Sequence, residues 1–161
     1  MTKRDPFRPV DAEARALARQ LIDAARFAAI AVLERGAPAV TRIAFATCPD
    51  GAPLSLISEL SSHTQALEAD PTCSLLVGEP GEKGDPLTHP RLTLMARARF
   101  VPRASTEHET LRSVYLSQNP KAQLYIDFAD FHLVRFDVTA ALLNGGFGKA
   151  YKLTPEDLRR R

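Results

Sequence analysis

Residues 38–58 read PAVTRIAFATCPDGAPLSLIS, and the order of residue types in this stretch decides the fold class. Residues 38–47 carry β-branched and aromatic side chains, which suit a pleated, half-buried strand. Pro49-Asp50-Gly51 then forms a turn, since Pro presets φ at one position and Gly accepts a positive φ at another. Pro53 to Ser58 resumes a second short strand. On the other side, Phe27, Ile30, Val32 and Leu33 form an apolar run that stops at Glu34-Arg35-Gly36, so a strand over about 27–34 precedes the first two. Three strands joined by two tight turns make an antiparallel meander.

Working outward, Asp11 and Glu13 provide an N-cap and an acidic first turn, and Leu17, Leu21 and Ala25 recur at helical spacing, so a helix covers about 11–25. Ser62-x-x-Gln65 reads as a capping box opening a short helix that stops at Asp70-Pro71. A strand over 73–77 follows, then the polar loop GEPGEKGDP at 78–86. The longest strand covers 91–103. Its even positions (Leu92, Leu94, Ala96, Ala98, Phe100) are apolar, while Arg91, Arg97, Arg99 and Arg103 make its odd face basic. Thr106-x-x-Glu109 opens a helix to about 117, and Asn119-Pro120 starts a short one. Strands over 131–136 and 140–143 complete the chain, the last running into Asn144-Gly145-Gly146-Phe147-Gly148. With no βαβ rhythm, this pattern gives a mainly β fold: a closed or nearly closed antiparallel barrel with peripheral helices. A small barrel is filled by its own side chains, so a ligand sits outside it or between subunits.

The chain has 161 residues and a formal charge of +2, which suits a single domain over 1–161. Residues 1–8 and 156–161 hold the positive excess and the body is slightly acidic. General nucleic-acid binding is therefore not expected. No apolar run is long enough to span a bilayer, and no signal peptide is visible. Cys48 and Cys73 suggest neither a disulfide framework nor a metal knuckle, and the four histidines share no ligand spacing. The expectation is a cytoplasmic protein with no metal and no membrane partner, and with flexible ends at 1–10 and 153–161.

Four places could carry chemistry. Ser58, Ser61, Ser62, His63 and Thr64 lie where a strand ends and a helix begins, so hydroxyls and an imidazole meet free backbone N–H groups. That junction is a ready anion site, or else a simple helix cap. Arg42 lies in an otherwise apolar strand and needs a partner, either a phosphate or a carboxylate such as Glu59 or Asp50. Arg91 at the start of the long strand points toward a ligand, whereas Arg97, Arg99 and Arg103 form a solvated face. The glycines around Phe147 make a hairpin turn or allow close backbone approach to a planar ligand. No side chain stands out as catalytic.

In this order, PAVTRIAFATCPDGAPLSLISELSSHTQALEADPTCSLLV (38–77), DPLTHPRLTLMARARFV (85–101) and DFHLVRFDVTAALLNGGFGKA (130–150) resemble the pyridoxamine 5′-phosphate oxidase-like FMN-binding split barrels, and more narrowly their haem-utilisation branch. The resemblance covers roughly residues 12–151. It implies a six-stranded split barrel and a homodimer holding FMN at the subunit interface, with a small-molecule substrate. By position, Arg42 falls on the phosphate-contacting arginine and Ser61, Ser62 and His63 on a Ser-Arg-Lys phosphate segment. Ser58 falls near the ribityl contact, and Arg91 on a glutamine of the long strand. A histidine in place of lysine at 63 implies a grip that varies near neutral pH. The chain has no Trp and ends in LRRR, where true pyridoxamine 5′-phosphate oxidases have an Arg-x-His motif, so that reaction is not expected. Haem-degrading relatives carry a haem-ligating histidine in a C-terminal region, and no histidine follows His132 here. The expected function is an FMN-dependent oxidoreductase, with a non-catalytic flavin- or haem-binding protein as the alternative.

Overall fold

A computed structural model describes residues 4–160. Helix α1 (Ala12–Ala24) starts at Asp11, whose carboxylate accepts from the Ala14 amide at 2.8 Å. Its buried stripe is Ala14, Ala18 and Ile22, with Leu17 and Leu21 flanking it. The expected stripe was one residue row away; the alanine row faces inward because small side chains let the helix lie close to the sheet.

Strands β1 (Phe27–Glu34) and β2 (Ala37–Ala44) form a hairpin through Arg35 and Gly36, both at positive φ (51° and 80°), the geometry of a two-residue turn that follows strand twist. Strand β3 (Ala46–Thr47) pairs with β4 (Pro53–Ser58) across the Pro-Asp-Gly turn, which Gly51 closes by donating to the Cys48 carbonyl at 2.8 Å. Then come α2 (Ser62–Ala69), β5 (Thr72–Val77), β6 (Arg91–Phe100), α3 (Thr106–Gln118), β7 (Phe131–Asn144) and β8 (Ala150–Leu153), with single 3-10 turns at 86–88, 120–124 and 155–158.

All ladders are antiparallel, in the order β2-β1-β5-β6-β7-β4-β3 with β8 also on β7. The two edge strands of that path, β2 and β3, are successive pieces of one chain segment separated only by Phe45. The sheet is an open, curled half-barrel, drawn together where Ser55 Oγ donates to the Ala44 carbonyl at 2.6 Å. The fold is mainly β with peripheral helices, as expected, but the described residues form eight strands and not six. The run read as one strand at 38–47 breaks at Phe45, whose ring is buried and whose amide turns to the Arg26 carbonyl. The two strands read at 131–136 and 140–143 are one, because β6 continues to pair across the gap through a bulge at Met95/Ala96. Strand β8 occupies a stretch read as turn and flexible end.

Two capping expectations also shift by one residue. Ser61, not Ser62, holds the N-cap position of α2, and it makes no side-chain cap bond. Ser105, not Thr106, caps α3 by accepting from the His108 amide at 3.1 Å. One core fills the curl of the sheet beneath α1, and a second lies between β4, β7 and α3. At the ends, Arg8 donates its amide to Ala150, and Leu158 is buried behind a Thr154/Asp157 capping box. Residues 1–3 and 161 of the expected flexible ends lie outside the described residues.

Candidate functional site

Strand alternation sorts the sheet's side chains into two faces. In β1 the inner set is Ala28, Ile30 and Val32, which leaves Phe27, Ala29, Ala31 and Leu33 on the outer face. Register carries that face across the sheet: Arg42 of β2 lies opposite Ala29, Ala29 opposite Leu76 of β5, and Leu76 opposite Thr93 of β6. Over this row opens a groove of about 610 Å3. Its floor is apolar, made by Phe27, Ala29 and Leu76; Phe27 and Leu76 are 38% and 45% exposed. One wall is the loop between β5 and β6, with Leu87 and His89. The rim carries Arg26, Arg42 and Arg91 against a single carboxylate, Glu79.

The arginines at this rim differ from most others in the chain. Arg15, Arg19, Arg99, Arg112, Arg135, Arg159 and Arg160 each pair with a carboxylate. Arg26 and Arg42 have no such partner among the described residues. The two carboxylates considered for Arg42 are engaged elsewhere. Asp50 takes both nitrogens of Arg135, at 3.1 and 2.6 Å, and Glu59 meets His132 Nε2 at 2.5 Å. Arg135 holds the Asp50 carboxyl below the usual carboxylate range. Arg42 instead lies over the Phe27 ring, 5.1 Å from its centroid, an exposed cation–π contact that leaves its N–H groups free for an anion. Arg91 is also at the rim, with one nitrogen committed to the Leu87 and His89 carbonyls at 3.0 and 3.4 Å.

The junction at 58–64 lies apart from this groove and lines none of it. Its polar groups are largely engaged within the fold. Thr64, fully buried, donates its hydroxyl to the Ser58 carbonyl at 2.6 Å, and Ser58 Oγ donates to Asp130 at 3.1 Å. His63 is buried with Nδ1 3.0 Å from the Thr41 hydroxyl, and burial lowers its pKa. Its ring is neutral at neutral pH and serves as a spacer between α2 and β2. Ser61 and Ser62 make no side-chain bond and stay accessible. Phe147 is 79% exposed at the tip of the β7–β8 turn. That turn closes through Gly145 and Lys149, and Gly146 packs on the Thr88 carbonyl, one residue from the groove wall.

The structure thus joins Arg42 and Arg91 and leaves the other candidates elsewhere. It adds Arg26, Phe27, Leu76, Leu87 and His89, which sequence reasoning missed. The available signal was Arg26-Phe27 at the mouth of a strand whose inner positions are all small or aliphatic. Arg97 and Arg103 are exposed and Arg99 is partly so, in line with the expected solvated face, and Arg99 and Arg103 also serve as anchors. Arg99 grips Glu107 with both terminal nitrogens, at 3.0 and 2.7 Å, and Arg103 holds the carbonyls of Phe128, Ala129 and Phe131.

A family model described as "CREG, beta-barrel" matches residues 9–159. The chain belongs to this CREG beta-barrel family. The likeness to solved structures agrees with the fold resemblance drawn from sequence, since neighbours share the pyridoxamine 5′-phosphate oxidase-like fold. A non-standard chloroplastic haem oxygenase, HOZ of Arabidopsis thaliana, is 34% identical over 116 residues, which are 72% of this chain and 34% of HOZ. The chain therefore spans about a third of the length of that curated relative. A haem-binding protein of Mycobacterium smegmatis is 26% identical, with a TM-score of 0.83 over 93% of this chain and 61% of the other. A Clostridium acetobutylicum protein of the pyridoxinephosphate oxidase family, related to general stress protein 26, shares the fold at 14% identity. Its TM-score is 0.69 over 92% of this chain and 99% of the other. No helix among the described residues is long and apolar enough to cross a membrane.

Proposed function

We propose that this CREG-family chain binds haem in the outer-face groove. The observation that carries the reading is the pair of uncompensated guanidinium groups, Arg26 and Arg42, at the rim of a floor made of Phe27, Ala29 and Leu76. A flat apolar ring with carboxylate arms is the ligand that satisfies both features at once: the ring covers exposed apolar surface and the carboxylates neutralise the rim. Across the sheet, Arg42 and Arg91 are separated by three interstrand spacings, about 14 Å, room for a tetrapyrrole between them. The haem-related names of HOZ and the Mycobacterium smegmatis protein support the same reading. Haem supplies an iron centre when bound. Of the side chains that line the groove, only His89 is an imidazole, and both its nitrogens are already hydrogen-bonded to the loop. The residues present therefore fit the ring and its carboxylates, and the chain is read as a haem binder, with turnover left to further groups.

Assembly as a homodimer belongs to this reading. Phe27, Leu33, Val40, Leu76 and Leu142 are large, exposed and on the outer sheet face, an apolar patch of the kind that marks an association surface. A second copy covering it would close the groove. Two unpaired, buried cysteines suit a reducing compartment such as the cytoplasm.

The FMN-dependent oxidoreductase is the second reading. It is favoured by the accessible Ser61 and Ser62 at the start of α2, where a phosphate would meet the first amides of the helix. The two readings separate in one spectrum of the protein offered both ligands. The haem reading expects a Soret band that survives gel filtration and no retained flavin absorbance. Retained flavin that Ser61→Ala and Ser62→Ala abolish would replace it with the FMN reading.

A further inference from the structure

We propose that His89 is a proton-operated clasp on the loop that walls the groove. The loop leaves β5 at Gly78 and returns at Pro90, and its two feet touch. A Cβ on Gly78 would come within 2.6 Å of the Pro90 carbonyl, and Gly78 has φ +98°. Between these feet, residues 79–89 contain one 3-10 turn and no strand pairing. What holds the 79–84 arm of the loop is the imidazole of His89. Nδ1 accepts from the Gly81 amide at 2.8 Å, and Nε2 lies 2.8 Å from the Lys83 carbonyl. A carbonyl only accepts, so the ring hydrogen is on Nε2 and Nδ1 is bare. Both nitrogens are used, and the clasped ring is therefore the neutral tautomer.

Protonation puts a hydrogen on Nδ1 that points at the Gly81 N–H. The acceptor is lost and two donors oppose each other, so the clasp opens on that side. The same loop carries the charges of Glu79, Glu82, Lys83 and Asp85, and Arg26, Arg42 and Arg91 line the groove with His89. None of their charged side-chain groups is hydrogen-bonded to the imidazole. Asp85 accepts from Leu87, Arg91 grips the Leu87 and His89 carbonyls, and Nε2–H still donates to the Lys83 carbonyl, so the 83–91 side stays fixed while the stretch around Gly81 is released. Glu79 and Pro80 in that stretch line the groove, and the groove mouth widens in acid.

The clasp itself stands on the loop geometry; its consequence for ligand entry rests on the haem reading. The test is amide hydrogen exchange on ligand-free protein at about pH 8 and about pH 5, corrected for intrinsic rates, across the range where imidazoles titrate. In wild type, the Gly81 amide should lose at least about tenfold protection at the lower pH. His89→Ala should be unprotected at both, and His89→Asn protected at both, since its Oδ1 accepts from Gly81 without titrating. Equal protection in wild type and His89→Ala at the higher pH, no loss in wild type in acid, or an acid loss retained by His89→Asn would each overturn the clasp. Haemin association should quicken in acid for wild type and not for His89→Asn. A chain with the exchange pattern that takes up no haemin upholds the clasp and refutes the haem reading.

Discussion

Two residues set opposite electrostatic limits: the Arg42 guanidinium lies exposed over the Phe27 ring, and the His63 imidazole is buried against Thr41. Arg42 was identifiable because a guanidinium in an apolar strand demands an explanation, and the structure leaves it unpaired at the groove rim. His63 was misleading. A histidine in a phosphate-like segment suggests a variable cation, but packing between α2 and β2 buries it against Thr41 and lowers its pKa. Packing of that kind has no local sequence signature. The sign of its effect is fixed: the folded pKa lies below the unfolded value of about 6.5. As pH falls through about 6.5, the unfolded chain takes up a proton that the folded chain resists, so stability drops in that window and is fully retained above it. Denaturant titrations in steps between about pH 8 and pH 5 should show this fall in wild type and a shallower one in His63→Asn. His108, pulled down by burial and by Arg103 and Arg112, leaves a residual slope in both proteins. Identical slopes would contradict the account of His63.

Elements were easier to read than their ends. The periodicities at 11–25 and 27–34 placed α1 and β1 within a residue or two because burial on one face dictates their pattern, and the alternation read over 91–103 gave the start of β6 but overran its end by three residues. The break at Phe45 and the fusion into β7 depend on a backbone bond to Arg26 and on cross-strand pairing with β6, neither of which is local. Caps slipped because Ser105-Thr106 and Ser61-Ser62 each offer two adjacent hydroxyls. The structure distinguishes them, and mutation should too. Ser105→Ala should cost about 1 kcal/mol of stability, by loss of the bond to the His108 amide, whereas Thr106→Ala should cost a few tenths. Urea midpoints decide this, and the reverse order would contradict the cap assignment. In the β5–β6 loop, Gly78→Ala should be worse than either. Positive φ and a 2.6 Å approach to the Pro90 carbonyl make a loss of about 2 kcal/mol reasonable.

For the whole molecule, the sheet buries its inner face beneath α1 and against α3 and leaves an outer face that is part apolar and part cationic. Sequence alternation established that such a face exists, but only the register shows which strands bring Arg42, Leu76 and Arg91 to one groove. If a second copy covers that face, Val40→Glu, at a site 68% exposed beyond the groove, should convert a dimer to a monomer in sedimentation and weaken haem retention. An unchanged dimer would place the interface elsewhere. The claim on which the rest depends is that the rim arginines hold a carboxylate-bearing ring. Haemin titration followed at the Soret band, for wild type and Arg26→Ala/Arg42→Ala, tests it most directly. Losing two charge-assisted contacts should raise Kd at least about tenfold, equivalent to about 1.4 kcal/mol. An unchanged Kd in the double variant, or no saturable Soret band in wild type, would contradict it.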